Sequence, residues 1–137
     1  MKRVFALCLV LILCGCQSVS NRDATCRIVV SAQTDALTAE CLELVPEDGV
    51  LLDETVDFET GESLLSVMLR VMRKEKIPLV YEGSFIKSIG GLAPGDAGPM
   101  SGWMFSINGE LPMEGCDEIL LSEGDLVEWT YVTEWTE

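Results

Sequence analysis

Histidine is absent from the 137 residues, and with it go the usual bases that activate a serine or cysteine nucleophile and most catalytic zinc sites. Positive charge is scarce: nine Lys and Arg stand against 23 Asp and Glu, for a formal net charge of −14. Polyanion binding depends on cations that neutralise phosphates, so no nucleic acid is expected as a partner. C-x-x-C spacing is missing, which removes the common thiolate metal motifs. No D-x-D-x-D-G run supplies a calcium loop, and a calcium-binding surface rests only on the abundance of carboxylate oxygens. Finally, no apolar run reaches the roughly 20 residues that a helical membrane span needs.

What is there begins with an export signal. Lys2 and Arg3 precede the apolar run Val4 to Leu13, which ends at Cys14-Gly15-Cys16 before a polar stretch. A charged start, a short apolar region and small residues at the end make residues 1–15 a cleavable signal segment. Small residues ahead of Cys16 resemble a bacterial lipobox, which makes Cys16 the expected lipid anchor. Two or more acyl chains hold a protein stably at a membrane, since each buried CH₂ contributes about 0.8 kcal/mol. Residues 16–23 then read as a lipidated N-terminus and flexible tether, and residues 24–137 as one domain. The expected location is the extracytoplasmic side of the cell membrane. Cleavage removes two cations and no acids, leaving seven basic against 23 acidic residues.

Cys26, Cys41 and Cys116 remain in a compartment that permits oxidation. All three are disulfide candidates; a pair that includes Cys41 is expected, with Cys26 and Cys116 as alternative partners and one thiol left over.

Along the domain, the β-branched stretch Cys26 to Ser31 predicts a strand, Asp35 to Leu44 a short helical turn, and Val50 to Phe58 a second strand after the turn Pro46-Glu47-Asp48-Gly49. Ser63 is a good N-cap for a helix over 64–74, and Pro78 cannot continue it. Leu64, Leu65, Val67, Met68, Leu69, Val71 and Met72 fall on one broad side of that helix, with Ser66, Arg70, Arg73 and Lys74 on the other. Arg70, Arg73, Lys74 and Lys76 therefore read as a solvated helix face.

Short strands are expected at Ile77 to Tyr81 and Phe85 to Ile89. A long Gly- and Pro-rich loop, Gly90 to Gly102, separates them from a strand starting at Trp103 and running into Asn108-Gly109, a strong hairpin signal. Period two places Trp103, Phe105 and Ile107 on one face, and Val127, Trp129 and Tyr131 on one side of a final strand, Leu126 to Val132, after the turn Ser122-Glu123-Gly124-Asp125. The pattern is α+β, a small mixed sheet with one packed helix.

Chemistry concentrates weakly. The carboxylate pairs Glu47 with Asp48, Asp53 with Glu54, and Asp57 with Glu59 are better read as loop charges than as an acid–base couple, so a non-catalytic domain is expected. A large aromatic beside a long loop suits recognition. Trp103, Met104 and Ser106 on the strand, with Asp96 and Met100 on the loop, form the candidate ligand-binding set, for a planar ligand or for a peptide on the same edge. The competing reading buries Trp103 in the core.

Three motifs in order complete the picture: Gly61-Glu62-Ser63 opening the helix, Ser101-Gly102-Trp103-Met104-Phe105-Ser106-Ile107-Asn108-Gly109-Glu110, and Glu123-Gly124-Asp125 leading into Val127-Glu128-Trp129-Thr130-Tyr131. Together they resemble the bacterial transcobalamin-C-terminal-like family, over roughly Cys26 to Val132. The resemblance implies a β-grasp-like fold on exported, often lipid-anchored or wall-associated proteins. In the animal cobalamin carriers the similar domain covers one face of a corrinoid while a separate helical barrel holds the other. It thus implies a cobalamin-like ligand at Trp103 to Ser106 and the loop before it, with no cofactor established. Relatives carry cysteines where this sequence has Ala32, Ala97 and Thr133, whereas Cys116 matches. An envelope protein as partner, in a structural or adhesion role, is the alternative.

Overall fold

A computed structural model describes residues 22–135; the signal segment and the Cys16 anchor lie outside the described residues. The first strand, β1 (Ala24–Ala32), alternates strictly: Cys26, Ile28 and Val30 are buried while Arg27 faces outward. It pairs antiparallel with β2 (Val50–Phe58) on one side and parallel with β6 (Leu126–Val132) on the other. Outside β6 lies β5 (Gly102–Ile107), antiparallel, so the sheet order is β2-β1-β6-β5. A parallel central pair needs a long crossover, and the chain uses it to build everything else. A 3₁₀ turn at Thr34–Ala36 and the short α1 (Ala39–Leu42) link β1 to β2. Then come the main helix α2 (Leu64–Lys74) and a separate hairpin of β3 (Leu79–Glu82) and β4 (Phe85–Ile89). The expected α+β class holds: one helix packs on a small mixed sheet, in a β-grasp-like arrangement.

Helix α2 starts and stops where the sequence predicts. The Ser63 hydroxyl accepts from the Ser66 N–H at 3.2 Å. The Leu64 and Leu65 N–H groups, which have no partner within a helix, donate to the Ile119 and Cys116 carbonyls, both at 2.8 Å. At the other end Ile77 N–H reaches Met72 O and Lys76 N–H reaches Arg73 O, a Schellman closure with Lys76, not glycine, at φ 58°. Leu64, Val67, Met68, Val71 and Met72 are each at most 2% exposed, and burying each contributes about 1.5–3 kcal/mol.

Two apolar clusters result. The larger lies between α2 and the sheet and reaches Ile86 and Ile89 of β4. The smaller gathers Ala32, Leu37, Cys41, Leu92 and Tyr131. A bulge where the β1–β2 register shifts between Val30 and Ser31 lets the consecutive Leu51 and Leu52 both meet the interior.

Three local expectations change. β1 extends further at both ends than Cys26 to Ser31. β3 begins at Leu79, because the helix closure and Pro78 occupy the residues before it. The Asn108-Gly109 turn forms with φ of 52° and 82°, yet no strand returns from it. Glu110 makes an isolated bridge to Ile107, and Pro112, with no N–H to give a ladder, lies two residues on. Asn108 instead locks the foot of β5 to β6: its N–H donates to Leu126 O at 2.8 Å, and its side-chain oxygen accepts from Leu126 N–H at 2.9 Å.

Candidate functional site

The loop before β5 is hung from the end of the sheet by side chains. Tyr131, fully buried in β6, donates its hydroxyl to the Ala93 carbonyl at 2.7 Å and sits 3.1 Å from the Ser101 hydroxyl. Ser101 is 5% exposed. Its hydroxyl oxygen accepts from the Gly95 and Ala97 N–H groups at 3.1 Å, and its O–H donates to Gly98 O at 2.7 Å. Leu92, fully buried, is the apolar peg. Asp96 turns inward on the loop itself, its carboxylate accepting from Ala93 N–H at 2.8 Å.

Trp103 belongs to this framework. It is half-buried against both clusters. Its indole N–H donates to Leu92 O at 2.9 Å, and its ring meets Tyr131 edge-on with centroids 5.2 Å apart. Phe105 continues the same face, stacked on Trp129 at 4.5 Å. The Trp129 indole N–H, buried, has no hydrogen-bond partner among the described residues.

Met104 and Ser106, the alternate residues of β5, face the other way. They line an open groove of about 240 Å³ with Leu111, Glu128, Thr130 and Val132. The candidate set is thus divided: Trp103 on the core side, Met104 and Ser106 on the outer face, Asp96 committed to a turn, and Met100 exposed at the end of the loop. Sequence reasoning passed over Glu128 and Thr130, although the period that puts Trp129 inside puts both of them beside Met104 and Ser106. Ser101 and Tyr131 were missed as a hydroxyl pair because only the folded loop brings them together.

The expected disulfide is corrected. Cys26, Cys41 and Cys116 are all free and buried. Cys41 packs in the smaller cluster, whereas Cys26 and Cys116 belong to the larger one. Cys116 donates its thiol to the Ser84 carbonyl at 3.0 Å, beside Gly115, where any Cβ would run into Ser84. Burial, with Asp125 second, pushes the Cys26 thiol up to about 11; burial, with Asp117 second, also raises Cys116. Both stay protonated and unreactive at neutral pH.

Charges segregate. No Lys or Arg follows Lys87, whereas ten of the 23 acidic residues do. The cations of the other half are largely paired. Arg27 grips Asp53 through two bonds of 2.8 Å, and Lys74 lies near Glu54 and Glu75. Arg70 bridges Glu62 at 3.1 Å and the Asp57 carbonyl at 2.8 Å. Burial alone would raise the Glu62 carboxyl, but donors from Glu59, Arg70 and Ser66 outweigh it and hold the group below its ordinary range. Asp53 and Glu54 project to opposite faces of β2 and cannot act on one substrate. Among the described residues no three Cys, Asp or Glu side chains gather as a metal ion would need.

A similar chain path recurs in a known protein. Haptocorrin, solved in complex with Cbi, superposes with a TM-score of 0.57 at 16% identity over 84% of this chain, which spans 27% of that one. A Ruminococcus gnavus ATCC 29149 protein, named as a candidate metal binding protein, gives a TM-score of 0.49 at 16% identity, covering 82% of this chain and all of that one. At such identity the likeness to haptocorrin is one of fold. No curated protein matches the sequence. A family profile does match, over residues 61–133, more than half of the chain, and the chain belongs to that family, described as a domain of unknown function (DUF4430).

Proposed function

We propose that this chain is a non-catalytic recognition module, held on the outer side of the cell membrane by lipid at Cys16, that supplies one wall of a shared site for a planar ligand of the corrinoid type. The observation that carries the reading is the groove on the outer face of β5 and β6. Met104, Leu111 and Val132 give it apolar contact, Ser106 and Thr130 add hydroxyls, and Glu128 adds a carboxylate. Its volume of about 240 Å³ falls short of the roughly 300–1,000 Å³ of sites that enclose a ligand. A second body therefore has to cover the ligand's other side. The fold shared with part of haptocorrin, a protein solved with Cbi bound, supports the choice of ligand class.

Calorimetry of the full chain in mild detergent against cobinamide, cobalamin and other tetrapyrroles tests the reading. Micromolar affinity, about −8 kcal/mol, that falls at least tenfold in Met104→Ala and Thr130→Ala while the melting temperature holds is the expected result. Silence across the panel refutes the ligand class. Cys16→Ala should move the protein from the membrane to the soluble fraction, and an unchanged membrane fraction would remove the anchor.

A further inference from the structure

We infer that the open edge of β5 is a docking strip for an extended, cationic segment of another protein, bound by adding a strand to the sheet. This goes beyond the groove's ligand and does not depend on it. β5 is the last strand of the sheet order. Asn108 stands opposite Leu126 and donates to its carbonyl at 2.8 Å, so antiparallel alternation points the backbone groups of Met104 and Ser106 at β6 as well. Those of Trp103, Phe105 and Ile107 point away. Ile107 meets Glu110 at 2.9 and 3.1 Å in the turn, which leaves the N–H and C=O of Trp103 and Phe105 on the open side. Two donors and two acceptors at strand spacing are the backbone signature that an added strand recognises.

Side chains define the occupant. Apolar surface lies at both ends of the strip, with Met100 52%, Leu111 63% and Met113 97% exposed. Charge along it has one sign: Glu110 follows the foot of β5, Glu128 sits on the neighbouring strand, Glu134 lies beyond its end, and no Lys or Arg follows Lys87. A second copy of this chain, formal charge −14, would set these acids against their own kind. A segment about as long as β5, alternating apolar residues with Lys or Arg, matches the backbone groups, the flanking apolar side chains and the charge together.

Amide hydrogen exchange on the full chain in detergent tests the assignment. The probes are acetylated hexapeptides of alternating Val and Lys, their Val and Glu counterparts, and the Lys peptide N-methylated at every second residue along either edge. In the free chain the Trp103 and Phe105 amides should exchange at least 100-fold faster than those of Met104 and Ser106. The Lys peptide should slow them at least tenfold, salt should reverse this, and the Glu peptide should have no effect. N-methylation along one edge should abolish the protection while methylation along the other leaves it. Glu110→Lys with Glu128→Lys should exchange the preference between the Lys and Glu peptides. Slow exchange at Trp103 and Phe105 in the free chain, equal protection by Glu and Lys peptides, indifference to N-methylation, or no protection by any peptide at millimolar concentration would each overturn the proposal. Corrinoid binding is read separately by calorimetry, so loss of either result leaves the other standing.

Discussion

Two long connections flank β5, and they are held by different means. Residues 90–101 are rich in glycine and proline and hang from side-chain groups: the hydroxyls of Ser101 and Tyr131, the Trp103 indole and the Leu92 peg. Residues 108–125 are acidic and add backbone ties to those of the Asn108, Cys116 and Glu123 side chains, with Ile119 and Cys116 carbonyls taking the first free donors of α2. The first closes on the smaller apolar cluster and should open while the larger cluster and the sheet persist. The second completes the helix start, so releasing it removes partners from the core. Local and global opening are separable in this way whenever one segment's bonds leave the core intact.

Substitutions at the apolar pegs should break this contrast most visibly. Leu92→Ala and Leu121→Ala each remove a buried side chain and should cost about 2–5 kcal/mol in urea unfolding. Leu92→Ala should also release the Gly95 and Ala97 amides ahead of global unfolding, whereas Leu121→Ala should lower protection at Leu64 and Leu65 together with the sheet. Equal behaviour of both sets would dissolve the distinction. Tyr131→Phe keeps the ring and strips the Ala93 carbonyl of its buried donor, for an expected loss of about 1–3 kcal/mol with exchange accelerated in residues 93–101. Asn108→Ala should cost about 1 kcal/mol and free the Leu126 amide while leaving the glycine-rich loop unchanged, as read by the same exchange experiment.

Titration sharpens the comparison further, because the second connection carries most of the charge, with Asp96 the one acid of the first. Cys26 feels burial first and Asp125 next, and its pKa rises from 9.0 to about 11. Its stabilising contribution is complete below pH 9.0 and is lost as pH climbs toward that higher value. Cys26→Ala should flatten the alkaline limb of the urea midpoint. At the start of α2 the sign reverses. Glu62 lies below its ordinary 4.5, so its contribution is present above that value and drains as pH falls through the lower folded one. Glu62→Gln should be the smaller change, flattening the midpoint only as pH falls below 4.5.

Much of this fold was legible because period and punctuation agreed. Val50–Phe58, Leu64–Lys74, Phe85–Ile89 and Leu126–Val132 emerge at the predicted residues, each with a clear apolar repeat and a capping or turn residue beside it. Where one signal stood alone it misled. Asn108-Gly109 made its turn, but a hairpin also needs a returning strand, and Leu111-Pro112 does not supply one. The candidate site was half legible. Alternation separates Trp103 from Met104 without any structure, and the same alternation would have added Glu128 and Thr130. The Ser101–Tyr131 contact joins residues 30 positions apart, and no local pattern announces it. Cysteine pairing was open in the sequence for the same reason: the three thiols reach different parts of two clusters.

The confinement of every cation to residues before 88 leaves β5, β6 and the connections beside β5 with carboxylates only. An anionic leaflet repels a surface that carries charge of its own sign. Near such a leaflet the domain would favour orientations that hold β5 and β6 away from it. Orientation, and not merely distance from the membrane, is then written into the order of charges along the chain.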